Sequence, residues 1–316
     1  MSMAFADILL STYNGEQYLA ELLESIAGQT CPDWRLLVRD DGSTDRTVDI
    51  IKSFGDRLPG KVQLIREPDG NIGTVRSFSA LLARSDADYI MFADQDDVWL
   101  PDKVAVTLER MQKLEQKHGS DTACLVHTDL TVVDENLAVI ADSFWTYQRV
   151  NPGNGRILSR MLVANTATGC AAMINKRLKD LALPVPPEAV MHDWWLALVA
   201  AALGRVDYLP QPTILYRQHP ANTLGAKKSS LFINVRKALS FRENTRDVKA
   251  YLLRLQGQAA VLAGRYEHTL RERDYRAAST FATIRSHNPL VRRYLIFKHR
   301  FFMTGMFQNI SLLLRI

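Results

Sequence analysis

Cysteine is scarce in this chain, and long hydrophobic runs are absent. Cys31, Cys124 and Cys170 are the only cysteines among 316 residues. Their odd number and the lack of a CxxC pair argue against a disulfide framework or a cysteine zinc site and favour a reducing compartment. The longest nearly uncharged apolar stretch, 194–203, is far shorter than the roughly 20 residues that cross a bilayer, so it predicts a buried helix. No basic segment followed by a long apolar stretch opens the chain, so we expect no signal peptide and a cytoplasmic location.

Acidic residues are few toward the C-terminus. From Lys227 onward, 18 Lys and Arg stand against 5 Asp and Glu, a net charge of +13, whereas residues 1–226 carry 21 against 29, a net of −8. The two parts therefore face different partners. We expect a catalytic domain at 1–226 and a basic, mainly helical extension at 227–316.

Strand and helix patterns alternate along the first hundred residues, which predicts an α/β fold with a parallel sheet flanked by helices. The apolar runs predicted as its strands are 8–10, 36–38, Val62–Ile65 and Tyr89–Ala93. We expect Ser43 or Thr44 to cap the second helix. Less regular strand patterns follow at 123–127, 130–133, 168–174 and 213–216, and they predict a mixed, mostly parallel sheet.

Polar clusters follow three of the predicted strands. They are Thr12-Tyr13-Asn14-Gly15-Glu16, Asp40-Asp41-Gly42-Ser43 and Asp94-Gln95-Asp96-Asp97. Ligands of open α/β sheets sit beyond the carboxyl ends of the strands, so these clusters are expected to meet at one edge. Carboxylates at such close range repel one another unless a cation neutralises them. Mg²⁺ often takes one or two protein carboxylates together with substrate phosphates, so the sequence predicts a divalent metal and a diphosphate. Singly, each cluster also fits a turn or an exposed loop.

The order and spacing of these motifs resemble family 2 glycosyltransferases of the inverting GT-A type, over residues 5–225. The segments that carry the resemblance are 11–19, 40–45 and Asp94-Gln95-Asp96-Asp97-Val98-Trp99. It implies a Rossmann-like GT-A fold that transfers a sugar from a nucleoside-diphosphate donor to a glycan hydroxyl, with Mg²⁺ or Mn²⁺ as cofactor. Tyr216-Arg217-Gln218-His219 and Asn222 are similar to bacterial rhamnosyltransferases of O-antigen and exopolysaccharide synthesis, which suggests dTDP-rhamnose as donor and leaves a UDP-linked sugar open.

The resemblance also implies which residues hold the donor nucleotide. They are Thr12, Tyr13, Asn14, Glu16, Asp41, Arg76 and Asp94. Tyr13 is expected to lie against the base, Asp41 to contact the base or ribose, and Asp94 to bind the ribose or help position the metal. Asp41 equally fits a turn or cap residue, and Arg76, a candidate for the phosphate, equally fits an exposed helix arginine.

A metal site is implied at Asp96, which matches the second aspartate of the Asp-x-Asp motif. Asp97 extends the motif, so the choice between the two as main ligand stays open. His219 matches a position that can reach the metal or the diphosphate. The alternative is a loop histidine that only hydrogen-bonds the backbone.

An inverting transfer also needs a base for the acceptor hydroxyl, which is typically worth about 10² to 10⁴ in rate. In the family this carboxylate stands at a helix start after a Gly-containing strand, which matches Asp193 after Gly169. His192 stands where the family more often has Glu, so a shared role is open. Asp193 also fits a first-turn carboxylate favoured by the helix dipole. Trp194 and Trp195 are either core residues or a platform for the acceptor sugar.

The basic extension carries apolar groups at 295–297 and 301–303. Such helices can lie in the headgroup layer of an anionic membrane, which would suit a polyprenyl-linked acceptor at the inner face of the cytoplasmic membrane. Alternatively they pack on the catalytic domain or on a second subunit as a homodimer. The acidic site argues against nucleic acid.

Two other functions compete with glycosyl transfer. A sugar-nucleotide nucleotidyltransferase usually has a Gly-rich loop with a basic residue after the first strand, where this chain has Thr-Tyr-Asn-Gly-Glu. A non-catalytic sugar-nucleotide-binding subunit does not need both Asp96 and Asp193.

Overall fold

A sheet with helices on both faces makes up the first two-thirds of the chain. The computed structural model describes residues 6–65, 70–220 and 245–316. The strands are β1 (Ala6–Thr12), β2 (Trp34–Asp40), β3 (Val62–Ile65), β4 (Tyr89–Ala93), β5 (Val98–Trp99), β6 (Cys124–Val133), β7 (Val139–Ala141), β8 (Ala172–Asn175) and β9 (Arg205–Arg217). The helices are α1 (Leu19–Ala27), α2 (Thr47–Arg57), α3 (Thr74–Arg84), α4 (Lys103–His118), α5 (Phe144–Gln148), α6 (Leu158–Met161), α7 (Lys176–Ala182), α8 (His192–Leu203), α9 (Thr245–Arg265), α10 (Glu272–Thr283), α11 (Pro289–His299) and α12 (Met306–Arg315).

The sheet is mixed, as predicted. Its order is β3-β2-β1-β4-β8-β6-β9-β5, and β7 pairs with β6. β1 to β4 run parallel to one another, and β8 runs antiparallel to both β4 and β6. β1 lies between β2 and β4 and its apolar side chains are fully buried, because helices cover both faces of a parallel sheet. The carboxyl ends of β1, β2 and β4 therefore lie side by side.

Three local predictions differ from the structure. Segments 123–127 and 130–133 belong to one strand, β6, because its polar residues find partners inside the sheet: Thr128 Oγ1 lies 2.6 Å from Thr213 Oγ1. The segment predicted as a strand at 168–174 begins with a 3₁₀ turn at Gly169–Ala171, and only its last residues belong to a strand, β8. The cap prediction at Ser43 or Thr44 is wrong, since α2 begins at Thr47, whose N–H donates to an oxygen of Asp45 at 3.0 Å.

The C-terminal helices share a hydrophobic core with the sheet and α8. Leu252, Leu255, Ala259 and Leu262 of α9 are buried in the same core cluster as α8. The Tyr266 hydroxyl donates to Leu181 O at 2.6 Å, which ties the end of α9 to α7. These contacts agree with the packing alternative for the part of the extension that the structure describes. The expected domain boundary at 226/227 lies outside the described residues. Among the described helices, none is both long and apolar enough to span a bilayer.

Candidate active site

The polar clusters after β1 and β2 bind each other. Asn14 N donates to Ser43 Oγ at 2.8 Å, and Thr44 N donates back to Asn14 Oδ1 at 2.9 Å. One turn further on, Arg46 N donates to Glu16 Oε2 at 2.9 Å. The side chains of Asn14 and Glu16, both predicted at the donor, thus hold the second loop against the first. Their contact with a nucleotide remains a prediction.

Asp40 joins the same two loops from within the second cluster. Thr12, another predicted donor residue, is buried and donates its hydroxyl to Asp40 Oδ1 at 2.9 Å. Asp40 also accepts from Ser43 N at 2.8 Å and from Ser43 Oγ at 2.5 Å. Asp40 and Thr12 therefore form part of the support of the site, and sequence reasoning gave Asp40 no role.

The backbone of Tyr13 is held by Gln95, and its ring is exposed. Its N–H donates to Gln95 Oε1 at 2.9 Å, and Gln95 Nε2 donates to Tyr13 O at 3.0 Å. A Cβ on Gly15 would lie 2.5 Å from Gln95 Oε1, so glycine is needed for this amide to approach. The Tyr13 side chain is 49% exposed. An exposed ring on a backbone held in this way suits stacking against a flat ligand.

Asp41 is buried and fully engaged. It forms an ion pair with Arg39, and its two oxygens accept from Ile72 N and Gly73 N, each at 2.8 Å. Arg39 also donates to Gly70 O at 3.1 Å. The pair therefore holds the loop that leads into α3, and a contact of Asp41 with base or ribose remains a prediction. In the first turn of α3, the side chain of Arg76 is exposed.

The aspartates after β4 form a crowded acidic cluster. One ligand atom each from Asp94, Asp97 and Cys170 lies within 4.8 Å of the others. Burial, with the charges of Asp96 and Asp193 adding to it, raises the pKa of Asp94 to about 7. Burial and the neighbouring Asp96 also raise the pKa of Asp97 well above its usual range. These shifts mark an excess of negative charge that a bound cation would offset.

The donor set of this cluster fits a hard divalent cation. Carboxylate oxygens are the ligands that Mg²⁺ and Mn²⁺ prefer. Cys170 adds no such ligand, because burial raises the pKa of its thiol well above the usual range. Asp97 is fully buried, and its Oδ1 accepts from Arg217 N at 3.2 Å while Oδ2 has no hydrogen-bond partner within the described ranges. Asp96 is more open, with 19% of its side chain exposed.

His219 lies beside Asp96, so two predicted metal residues meet. The distance from His219 Nε2 to Asp96 Oδ2 is 2.9 Å, and the ring of Tyr18 lies 4.9 Å from the imidazole. Arg217 Nε donates to Asp96 O at 2.8 Å, and its guanidinium forms an ion pair with Glu21. The end of β9 is thereby fastened to the acidic loop after β4.

Asp193 lies in the first turn of α8 and packs against Gly169, the neighbour of Cys170, whose sulfur belongs to the acidic cluster. Its Oδ1 accepts from Trp194 N at 2.6 Å, and Asn165 Nδ2 donates to Oδ2 at 3.3 Å. A Cβ on Gly169 would lie 3.2 Å from Asp193 Cβ, so the glycine leaves room for this approach. Burial raises the pKa of Asp193 to about 6, against the opposing effect of its hydrogen bonds. A carboxylate with such a pKa is ionised at neutral pH and still basic enough to take a proton.

Residues 7–178 match the family model described as Glycosyl transferase family 2. The chain belongs to this family. The dTDP-rhamnosyl transferase RfbG of Shigella flexneri is 28% identical over 231 residues, which cover 70% of this chain and 75% of RfbG.

Solved structures show that this family 2 glycosyltransferase has the GT-A fold. Staphylococcus aureus TarS 1–349 in complex with UDP-GlcNAc superposes with a TM-score of 0.53 at 17% identity, covering 98% of this chain and 90% of that one. Against a longer TarS structure, the match spans 54% of the TarS chain. The mannosyltransferase PcManGT of Pyrobaculum calidifontis, in complex with GDP-Man and Mn²⁺, matches with a TM-score of 0.50 at 17% identity, covering 94% and 87%.

In this family 2 glycosyltransferase His192 is a core residue and not a partner of Asp193. Its ring stacks on Phe78 at 4.1 Å and lies 5.2 Å from Phe92. Burial lowers the pKa of His192 to about 3, so the ring is neutral. His192 thus packs in the core at the position where the resemblance led us to expect a glutamate.

Both tryptophans of the motif are also enclosed. Trp194 is 5% and Trp195 0% exposed. Their indole N–H groups donate to Met161 O at 2.7 Å and Ala182 O at 2.9 Å. This burial favours the core alternative over the sugar platform for both residues.

Sequence reasoning missed the residues that position the site. Arg39, Gln95 and Arg217 hold its loops through contacts with distant parts of the chain. Gln95 and Arg217 stand within two motifs of the sequence analysis, 94–97 and 216–219. Their place in these motifs was the sequence signal that could have identified them. The Asn222 position of the rhamnosyltransferase-like motif lies outside the described residues.

Proposed function

We propose that this chain is an inverting glycosyltransferase that moves a sugar from a nucleoside-diphosphate donor to a hydroxyl of a glycan or lipid-linked glycan during cell-surface polysaccharide synthesis. The observation that carries the proposal is the position of Asp193, which packs against Gly169, while the next residue, Cys170, has its sulfur within 4.8 Å of carboxylate oxygens of Asp94 and Asp97. Similarity to RfbG supports rhamnose from dTDP-rhamnose as the transferred sugar.

The donor nucleotide is proposed to bind along the carboxyl ends of β1, β2 and β4. Its base would lie against the exposed ring of Tyr13, which Gln95 holds through the backbone. Asp94 would take the ribose hydroxyls. The exposed Arg76 would pair with a phosphate, since a guanidinium matches phosphate geometry.

Asp96 is our choice as main metal ligand, with His219 beside it. Asp97 is fully buried, and one of its oxygens already accepts the Arg217 N–H, whereas Asp96 is partly exposed and lies 2.9 Å from His219. Bound Mg²⁺ or Mn²⁺ would supply positive charge that offsets the diphosphate leaving group.

Asp193 is proposed to be the catalytic base. Its carboxylate takes the proton of the acceptor hydroxyl while that oxygen attacks the anomeric carbon. The bond from this carbon to the diphosphate oxygen breaks on the opposite face, so the configuration at the carbon inverts. Asn165 and the amide of Trp194 orient the carboxylate, and the burial that raises its pKa keeps it basic.

A donor panel tests the proposal. The purified chain is mixed with dTDP-rhamnose, UDP-GlcNAc, UDP-glucose or GDP-mannose, with and without EDTA, and donor binding and nucleoside-diphosphate release are measured. One donor is expected to bind tightly and turn over only with metal. Binding without any turnover, with glycan acceptors supplied, would favour the non-catalytic subunit.

Asp193→Asn tests the base. We expect kcat to fall by about 10² to 10⁴ with donor affinity unchanged, because the side chain keeps its shape and loses its basicity. Asp121→Asn, at an exposed position, is the control. Transfer by Asp193→Asn at the wild-type rate would rule out the mechanism.

A further inference from the structure

Exposed apolar side chains line one face of α11. Leu290, Tyr294 and Phe297 are 78%, 62% and 58% exposed. Spacings of four and three residues place them on one side of a helix, and we call them the α11 stripe. Ile296 is fully buried and lies on the side that packs into the core. An exposed apolar set of this kind on an otherwise packed helix marks an interaction surface.

Basic residues flank the stripe on both sides. Arg293 and Lys298 are exposed, and the helical spacing sets one on each edge of the stripe. The Lys298 ammonium lies 5.7 Å from the centre of the Tyr294 ring. The sequence after Asp274 contains seven Lys and Arg and no Asp or Glu. The partner of this surface is therefore expected to be both apolar and anionic.

The helix is held in place before any partner binds. Asn288 caps it by accepting from Leu290 N and Val291 N at 3.1 and 3.0 Å. On the inner side, Arg292 donates to Ile316 O at 2.7 Å and to His287 O at 2.6 Å. Binding through the stripe then carries little ordering cost, because the helix is already formed.

We propose that the α11 stripe docks this glycosyltransferase on an anionic membrane surface. The three apolar side chains enter the headgroup layer, and Arg293 and Lys298 pair with lipid phosphates. A second copy of the chain fits less well, because a twofold contact would bring the basic flanks of two stripes together. The inference rests on the proposed function in one respect, since docking on a membrane suits a lipid-linked acceptor. Binding to vesicles is measured without donor or acceptor.

Vesicle co-sedimentation of the full chain tests the charged flanks. The probes are phosphatidylcholine vesicles with and without a minor fraction of phosphatidylglycerol. Wild type is expected to bind the anionic vesicles, less so at high salt. Neutralising Arg293 and Lys298 together, as Arg293→Gln and Lys298→Gln, is expected to weaken this binding by about fivefold per charge. The control pair Lys176→Gln and Arg177→Gln, exposed on α7, is expected to bind like wild type.

A second pair tests the apolar face. Tyr294→Ser with Phe297→Ser is expected to lower binding to anionic vesicles about tenfold. Val139→Ser with Ile140→Ser, at side chains on β7 that are 60% and 47% exposed, is the control. Donor turnover with a soluble acceptor is expected to be unchanged in all four double variants, so loss of docking is separable from failure of the proposed function.

Three outcomes would overturn the inference. One is equal binding of wild type to neutral and anionic vesicles, and another is an equal loss in a control pair. The third is a concentration-dependent dimer in sedimentation equilibrium that the stripe variants abolish without changing vesicle binding, which would make the stripe an interface between copies.

Discussion

Removing the hydrogen bond from Asn165 to Asp193 is expected to shift the acid limb of the pH profile upward. Burial raises the pKa of Asp193 to about 6, and the Asn165 amide is one of the donors that oppose this rise. Its nitrogen lies 3.3 Å from Asp193 Oδ2. Without this donor the charged form loses stabilisation. The pKa then increases, so the base is protonated over more of the acidic range.

The size of the shift follows from the geometry. A hydrogen bond to a charged group contributes about 1.5 to 3 kcal/mol, and one as long as 3.3 Å belongs at or below the low end. At about 1.4 kcal/mol per pKa unit, Asn165→Ala should raise the pKa of Asp193 by roughly half to one unit and move the acid limb to higher pH by the same amount. Asn165→Asp keeps the oxygen that accepts from Ala167 N and adds a like charge, so its shift should be larger.

The assay is kcat/KM against pH, with the preferred donor and saturating metal. Wild type should lose activity about tenfold per pH unit below the limb near 6. All three proteins should have similar rates well above it. Asn136→Ala, at an exposed position, is the control. A limb that stays in place in both Asn165 variants, or that moves to lower pH, would refute the role of Asp193.

Three other perturbations probe the rest of the site. Gly15→Ala places a methyl group against the Gln95 amide and should weaken donor binding about tenfold or more by breaking the bonds through which Gln95 holds Tyr13, measured by calorimetry; Gln95→Ala should weaken it to a similar extent, and unchanged affinity in Gly15→Ala would contradict this account. His219→Ala should raise the Mn²⁺ concentration for half-maximal turnover about tenfold with little change at saturating metal, and an unchanged metal titration would exclude it as a ligand. The Asp94 pKa is raised to about 7, so the folded protein binds more protons than the unfolded chain between about pH 4 and 7 and loses stability as pH increases through that window. Asp94→Asn should therefore increase the free energy of unfolding by roughly 1 to 3 kcal/mol at pH 8 in EDTA, measured by urea titration. No increase would show that the Asp94 carboxylate does not destabilise the metal-free fold.

The sheet was predictable because its signals are local. Apolar runs and helical spacing mark β1 to β4 and their helices, and strand ends locate the polar clusters. The predictions of strands and helices were wrong where contacts between distant residues determine the structure. Thr128 and Asp129 interrupt the apolar pattern of β6, yet Thr213 and Ser143 satisfy them, so the strand continues.

In the candidate site, too, the residues in local motifs were predictable and those that act through distant contacts were not. Its carboxylates stand in recognisable motifs, whereas Arg39 and Gln95 act through partners about 30 and 80 residues away, which no local pattern encodes. Trp194 and Trp195 show a related limit. An aromatic pair after the proposed base has the same sequence pattern whether it packs inward or faces a sugar, and only tertiary packing separates the two.

The stacking of His192 on Phe78 packs α8 against α3, between the proposed donor side and the proposed base. Phe78 belongs to α3, whose start is tied down by Asp41, and His192 precedes the proposed base. Packing at this contact therefore bears on the placement of both the loop before α3 and Asp193.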